Sequence, residues 1–362
     1  MREISARRQA IYQVMARNPA NHPLRIFANA KAKNETVHIA GPMVRYSKLP
    51  LRQTIRDLSP HVIIYSPMIL AREFVRSRFA RDSDFTTNST DTPLVIQFGA
   101  NNKLDLARAA LMVMPFCDGI GINCGCPIKE QNREGIGAAL MSDPHKVAEM
   151  VREVKRVCGD AFCVEVKIRI HTNLEETEEF ARIIEAAGAD YITVHGRRKQ
   201  DRSSIPANYE GIRRVKAAVK CPVVANGDCF LPKDIERIVA ATNVDGVMAV
   251  RGVLANPAIF AGYSSTPFRV IELFMDYALS YGLPFALIQH HLSEMTTFEM
   301  TRRERKSLHL CESTIDLIDW LDERFDFLRR GQKGFAQRDE WPWKIERTLA
   351  GDEPQDSGDE KP

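Results

Sequence analysis

The hexapeptide Ile122-Asn123-Cys124-Gly125-Cys126-Pro127 sets two thiols and an amide on a Gly/Pro turn, directly after the apolar run Gly119-Ile120-Gly121-Ile122. A cysteine at the exit of a buried strand is available as a nucleophile, a redox thiol or a proton donor. Shortly after comes the Gly-rich segment Glu134-Gly135-Ile136-Gly137-Ala138-Ala139. Thiols two residues apart could also hold a metal or form a redox pair. No ladder of His or Cys joins them, so no metal site is expected.

The same pattern, an apolar run ending in polar residues, recurs along the chain. One run ends in Gly41-Pro42-Met43 and another at Gln97. A third carries Lys167 and Arg169 and is followed by His171. Others end in His195-Gly196-Arg197, Asn226-Gly227-Asp228 and Val250-Arg251-Gly252. A lysine between Val166 and Ile168 is costly in a buried strand unless it has a partner. One polar strand end is noise, but polar residues at most of the strand ends form a site. Glycines 227 and 252, with Arg251, suit an anion such as a phosphate. A flat phosphorylated cofactor fits this set, and flavin mononucleotide (FMN) fits best. Gln97 and Lys167 can hydrogen-bond the pyrimidine edge of its ring, Pro42 and Met43 can wall it, and His195 can orient the ribityl chain or phosphate. Pyridoxal phosphate is the rival, with Lys167 as its Schiff-base lysine.

Elements must position these residues. Eight apolar runs begin near residues 37, 62, 93, 119, 162, 191, 222 and 246, and amphipathic segments separate the later ones at 145–157, 174–187, 209–219 and 233–241. Strands spaced by helices predict parallel βα units, and eight of them predict a (β/α)₈ TIM barrel over 36–264. A doubly wound sheet is the alternative, but no G-x-G-x-x-G occurs. Helical periodicity at 269–281, 284–298, 303–311 and 313–325 predicts a small all-helical C-terminal domain over 265–330. Residues 1–35 read as a separate N-terminal extension. Residues 331–362 read as a polar, acidic, disordered tail.

The chain has 362 residues and a formal net charge of +3. The last twelve residues carry five acids and one lysine, so the remainder is more basic and compatible with an anionic partner. No apolar stretch is long enough for a membrane span, so no membrane association is expected. The first residues lack a secretory core, and Glu3 argues against a mitochondrial leader. The eight cysteines show no C-x-x-C pair, which points to reduced thiols in the cytoplasm or nucleus. Monomer is the default expectation.

These residues resemble the tRNA-dihydrouridine synthases. The carrying motifs are Asn123-Cys124-Gly125-Cys126-Pro127, Gly135-Ile136-Gly137-Ala138, Val166-Lys167-Ile168-Arg169, Val194-His195-Gly196-Arg197 and Ala225-Asn226-Gly227-Asp228. Pro42-Met43-Val44-Arg45-Tyr46-Ser47-Lys48-Leu49 and Arg251-Gly252-Val253-Leu254-Ala255-Asn256-Pro257 make the eukaryotic 20a/20b branch the best match. The resemblance covers about residues 37–320. It implies reduction of the C5–C6 bond of a D-loop uridine in tRNA, with FMN as cofactor and NADPH or NADH as reductant. It implies Cys126 as proton donor and Asn123 and Arg197 as uracil contacts. It implies FMN contacts from Pro42, Met43, Gln97, Lys167, His195, Asn226, Gly227, Asp228, Val250 and Arg251. It also makes the helical appendix the tRNA-binding module. His171 is a further candidate for the substrate's phosphate or ribose.

Three basic clusters are candidate RNA contacts: Arg72, Arg76, Arg78 and Arg81; Arg197, Arg198, Lys199 and Arg202; and Arg302, Arg303, Arg305 and Lys306. Cys124 reads as packing or wall, and the other cysteines as small apolar fillers. Two further readings stay in view. One is an FMN barrel acting on a small molecule, as a dihydroorotate-dehydrogenase-like enzyme would. The other is a tRNA-binding or tRNA-folding module with incidental catalysis.

Overall fold

The computed structural model describes residues 18–345. Expectations for 1–17 and 346–362 lie outside the described residues. The strands are β1 (Val37–Ala40), β2 (Ile63–Tyr65), β3 (Ile69–Leu70), β4 (Leu94–Gly99), β5 (Gly119–Asn123), β6 (Cys163–Arg169), β7 (Tyr191–His195), β8 (Val223–Asn226) and β9 (Gly246–Ala249). All pairings are parallel. The order runs β2-β1-β9-β8-β7-β6-β5-β4, and β2 pairs with β4 to close the ring. The two-residue β3 pairs with the end of β4. Eight strands thus close a (β/α)₈ barrel, as expected.

Alternation along each strand divides two apolar cores. Ile39, Tyr65, Val95, Cys163, Tyr191, Val224 and Met248 fill the barrel interior. Ile96, Ile120, Ile122, Val164, Val166, Ile168 and Val194 face the surrounding helices. The helices Pro144–Cys158, Leu174–Ala186, Tyr209–Ala218 and Pro232–Thr242 fall where the amphipathic spacing places them. Asp143, Asn173 and Asn208 cap the first three through side-chain oxygens.

The described residues before β1, 18–36, pack onto the barrel rather than standing apart as a separate extension. Helix Pro23–Lys33 buries Phe27 in the interior core, its ring 5.2 Å from that of Tyr191. After the barrel come Phe268–Ser280, Phe285–Met295, Arg302–His309 and Thr314–Arg324. The first packs along Leu49–Leu58, and the Tyr277 hydroxyl donates to Asp57 at 2.7 Å.

The expected disorder beyond 331 needs correction for 331–345. The fully buried Glu272 accepts hydrogen bonds from the backbone N–H of Leu328 (3.1 Å) and Ala336 (2.7 Å), and pairs with Arg338 at 2.6 Å. Trp341 and Trp343 lie 5.3 and 4.5 Å from the Phe325 ring. Two tryptophans and one internal carboxylate anchor a segment whose average composition is polar.

Phe27→Ala removes the ring that closes the interior core and is expected to lower unfolding free energy by about 3 kcal/mol. Denaturant unfolding checks this. An unchanged midpoint would mean the helix is detachable.

Candidate active site

A cavity of about 720 Å³ opens at the C-terminal ends of the strands. Its lining draws on most of the barrel: Pro42 after β1, Gln97 from β4, Asn123 and Cys126 from β5 and its loop, and Lys167 and Arg169 from β6. His195 ends β7 and Arg197 follows it, Asn226 ends β8 with Gly227 and Asp228 in its loop, and Val250 and Arg251 lie just beyond β9. All but two of the residues expected at the site therefore meet at one mouth.

Those two are Met43 and His171. Met43 is buried in the outer core and does not line the cavity; its N–H donates to the Ser47 hydroxyl (2.9 Å). His171 lies beyond the end of β6. Its ring nitrogens sit 3.1 Å from the Thr177 hydroxyl and 2.8 Å from the Met141 carbonyl, which fixes it away from the mouth.

Asn123 organises the thiol loop. Its Oδ1 accepts from the N–H groups of Gly125 (3.1 Å) and Cys126 (2.9 Å), while its Nδ2 donates to Gln97 Oε1 (3.0 Å). The Cys126 carbonyl accepts from Ala138 N–H (2.8 Å) and Asn132 Nδ2 (3.2 Å). Gly137 has φ +69°, and a Cβ there would stand 2.7 Å from the Cys126 oxygen, so this glycine of the Gly-rich segment permits the contact. The two thiols part company. Cys124 is sealed in the outer core, and Cys126 is half-buried on the cavity wall.

Arg169 joins two walls. Its Nε donates to the Gly125 carbonyl (2.6 Å) and its Nη1 to the Arg198 carbonyl (2.9 Å). Arg197 is only 3% exposed. Its guanidinium pairs with Asp228 at 2.5 Å and donates to the carbonyls of Ser203 (3.0 Å) and Ile205. Lys167 Nζ donates to Asn226 Oδ1 at 2.7 Å, and Asn226 Nδ2 to the Met248 carbonyl at 3.0 Å. Gln97 Nε2 is buried and has no acceptor among the described residues. A Cβ on Gly252 would stand 2.2 Å from the Cys229 carbonyl, so the loops after β8 and β9 meet only because that residue is glycine.

Electrostatics follow from this crowding. Burial pushes the Cys126 thiol upward, and the cations Arg169 and Lys167 partly oppose it. Burial, aided by Lys167, Arg169, Arg197 and Arg251, pulls His195 down to about 2, so its imidazole is neutral. Burial lowers Lys167 to about 8, against the opposing pull of the Glu165 carboxylate.

Sequence reasoning missed several wall residues. Met68 lies just before β3, and Met248 points inward from β9; neither carries a signal that separates cavity from core. The 199–203 stretch lines one side, bringing Lys199 and Arg202 of the middle basic cluster to the mouth. Arg198 is instead paired with Asp201 at 2.9 Å. In the first cluster, Arg76 and Arg78 pair with Glu73 and Asp82, and in the third Arg302, Arg303 and Lys306 are exposed. Among the described residues, no group of His, Cys, Asp and Glu could hold a metal ion, and no helix is long and apolar enough to cross a membrane.

A closed parallel barrel with a protonated thiol, a buried lysine and a cofactor-sized cavity at its C-terminal face defines a (β/α)₈ barrel enzyme. The dihydrouridine synthase (Dus) family model matches residues 38–347. The chain is 50% identical over 328 residues to the tRNA-dihydrouridine(20a/20b) synthase (NAD(P)+) of Saccharomyces cerevisiae, covering 89% of each chain. It is 48% identical over 322 residues to the protein of that name from Schizosaccharomyces pombe, covering 89% of this chain and 97% of that one. A human protein named as like this synthase is 42% identical over 292 residues, covering 80% of this chain and 92% of its own. The chain belongs to the dihydrouridine synthase family, and its likeness is to the 20a/20b branch.

Because burial outweighs the neighbouring cations, Cys126 is expected to alkylate with an apparent pKa above that of free cysteine. Arg169→Met removes a cation and should raise it further. Mass spectrometry of the Cys126 peptide after pH-stepped iodoacetamide labelling reads both. An inflection at or below the free-cysteine control overturns the charge assignment.

Proposed function

We propose that this enzyme reduces the C5–C6 double bond of a D-loop uridine in tRNA, at positions 20a and 20b, using FMN with NADPH or NADH as reductant. The observation that carries this reading is the Cys126 thiol held on the cavity wall by Asn123, across a mouth shared with Gln97, Lys167 and Asn226. The names of the yeast relatives support the substrate and the position.

The residues present fit FMN. Gln97 offers a buried donor with no acceptor among the described residues, and Lys167 offers a cation beside it for the polar edge of a flavin. His195 is a neutral hydrogen-bonding group. Gly227 and Asp228, both at positive φ, shape a loop beside Val250 and Arg251 that suits a phosphate. Pro42 supplies an apolar wall. The chemistry supplied by bound FMN is hydride transfer, from NADPH or NADH to C6 of the uracil.

The chain's own part is the proton. As C6 gains hydride, C5 must gain H⁺. The Cys126 S–H bond breaks, a C5–H bond forms, and the thiolate left behind takes a proton back from solvent. A thiol kept protonated at neutral pH is a competent acid, and Arg169 and Lys167 stabilise the thiolate that remains. Asn123 positions this acid through two backbone hydrogen bonds. In this arrangement its amide oxygen serves the loop, and any contact to uracil adds to that. Arg197, committed to Asp228 and the 203–205 backbone, shapes the wall against which a base would rest.

The substrate base must leave its stack to enter such a mouth, which costs less in a loop than in a duplex. Lys199 and Arg202 at the rim, and Arg302, Arg303 and Lys306 on the C-terminal helices, supply cations for the backbone. Residues 265–330 act in this reading as the tRNA-binding domain, and the protein works as a monomer. All eight cysteines are free, which supports a reducing compartment, the cytoplasm or nucleus.

Cys126→Ala should retain FMN but lose roughly 10²–10⁴-fold in dihydrouridine formation, the usual worth of a positioned acid. Mapping dihydrouridine in tRNA from cells lacking the protein should show positions 20a and 20b unmodified. Full modification by Cys126→Ala would remove the acid assignment. Turnover of free uridine or orotate without RNA would favour a small-molecule enzyme.

A further inference from the structure

Beneath the cavity lies a carboxylate that the reaction just described does not use. Glu165 precedes Lys167 by two residues on β6, so both side chains point into the barrel, Lys167 at the mouth and Glu165 one step deeper. Glu165 is 0% exposed. Its nearest hydrogen-bonding neighbours are the neutral Thr193 and the Tyr65 hydroxyl, and neither brings a charge to it. The Tyr65 and Tyr191 hydroxyls beside it are 2.6 Å apart and bonded to each other.

The surrounding backbone makes room for this group. Gly121 stands opposite Glu165 in the β5–β6 register, and a Cβ there would come within 2.5 Å of Glu165 Oε2. A charge-bearing residue held at such cost in a barrel interior needs a partner. Lys167 is the cation whose charge acts on it, and among the described residues Lys167 hydrogen-bonds the neutral Asn226.

We propose that Glu165 is a positioning residue acting through Lys167: from inside the barrel its carboxyl keeps the lysine charged where the lysine faces the cofactor cavity. This rests on the FMN reading given above. The groups that bear on the pair come from several strands. Tyr65 (β2), Cys124 after β5, Cys163 on β6, and Tyr191 and Thr193 (β7) surround Glu165. Cys126, Arg169, His195 and Asn226 surround Lys167.

The direction of the coupling follows from burial. Glu165 is pushed up to about 8 by desolvation, and Lys167 is pulled down to about 8 by the same cause. Wherever Glu165 is ionised, its carboxylate holds the proton on Lys167. Without that carboxylate, the first proton to leave comes from the lysine. The cavity then loses its charge at lower pH.

The test is a pH series of FMN affinity, read by flavin fluorescence on apoprotein, with the reduction potential of bound FMN measured alongside. Glu165→Gln is expected to shift the alkaline loss of affinity down by about one pH unit, the low end of the effect of an opposite charge at a buried site. The fall in potential should move with it. Glu165→Asp, which keeps the charge, should restore most of the shift. Glu165→Leu reads the same quantity if the Gln variant does not fold. In a Lys167→Met background, Glu165→Gln should produce no shift.

Superposed profiles for the parent and Glu165→Gln, or a shift that persists without Lys167, overturn the inference while FMN binding stands. Failure of the parent protein to bind FMN overturns the flavin reading, and the inference with it.

Discussion

One amide ties the site together. Asn123 ends β5, and its two side-chain atoms face in two directions. The oxygen holds the backbone of the Cys126 loop, and the nitrogen holds Gln97 on the neighbouring β4. Both halves are buried, so each hydrogen bond is worth more than it would be in water, and each would be costly to leave unmade. The thiol loop therefore has little freedom to drift from the floor of the cavity. Arg169 secures the same loop from the β6 side through Gly125, and Gly137 lets the following Gly-rich segment close over the Cys126 carbonyl. Three fastenings from three directions hold the Cys126 loop in place, and in the proposed function they would aim its thiol at one carbon of a planar base.

Charge is arranged with the same economy. Lys167, Arg169 and Arg197 crowd the mouth, yet two of them are spent on structure: Arg169 on backbone carbonyls and Arg197 on Asp228. Burial keeps His195 neutral and the field of these cations adds to it, while Arg169 and Lys167 counter part of the burial penalty on the Cys126 thiolate. In the proposed function this balance would suit an acid that holds its proton at rest and releases it once per turnover.

Much of this was legible in the sequence because parallel strands are buried on both faces. Apolar runs marked the strands, and any polar residue ending a run stood out, which is how Gln97, Lys167, His195 and Asn226 were found. The failures have local causes. Met43 follows Pro42, but it is buried in the outer core, its N–H bonded to Ser47. His171 follows Arg169 by two residues, but the strand has already ended, and Thr177 of the next helix captures it. Glu165 sits within an apolar run, and its inward direction only becomes visible once the alternation is anchored by its neighbours. Residues 331–345 look disordered by composition, because a few aromatic anchors barely move an average.

The barrel mouth and the C-terminal helices meet through the loop after β1. That loop carries Pro42 on its cavity side. On its other side the Tyr46 ring lies 4.7 Å from His290 and 5.4 Å from His291. His291 is itself buried against Phe274, 4.8 Å away, and burial pulls it down to about 3, so His291 is neutral across the physiological range. The loop is braced from below: Arg52 donates to the Ser47 carbonyl at 2.7 Å and pairs with the fully buried Asp91 at 2.8 Å. A buried ion pair contributes little net stability, but breaking one partner is costly, which favours a single loop geometry. The C-terminal helices are thus referenced to the cavity wall through aromatic packing and one internal ion pair. In the proposed function, that rigid reference would set a tRNA held by these helices in register with the Cys126 thiol.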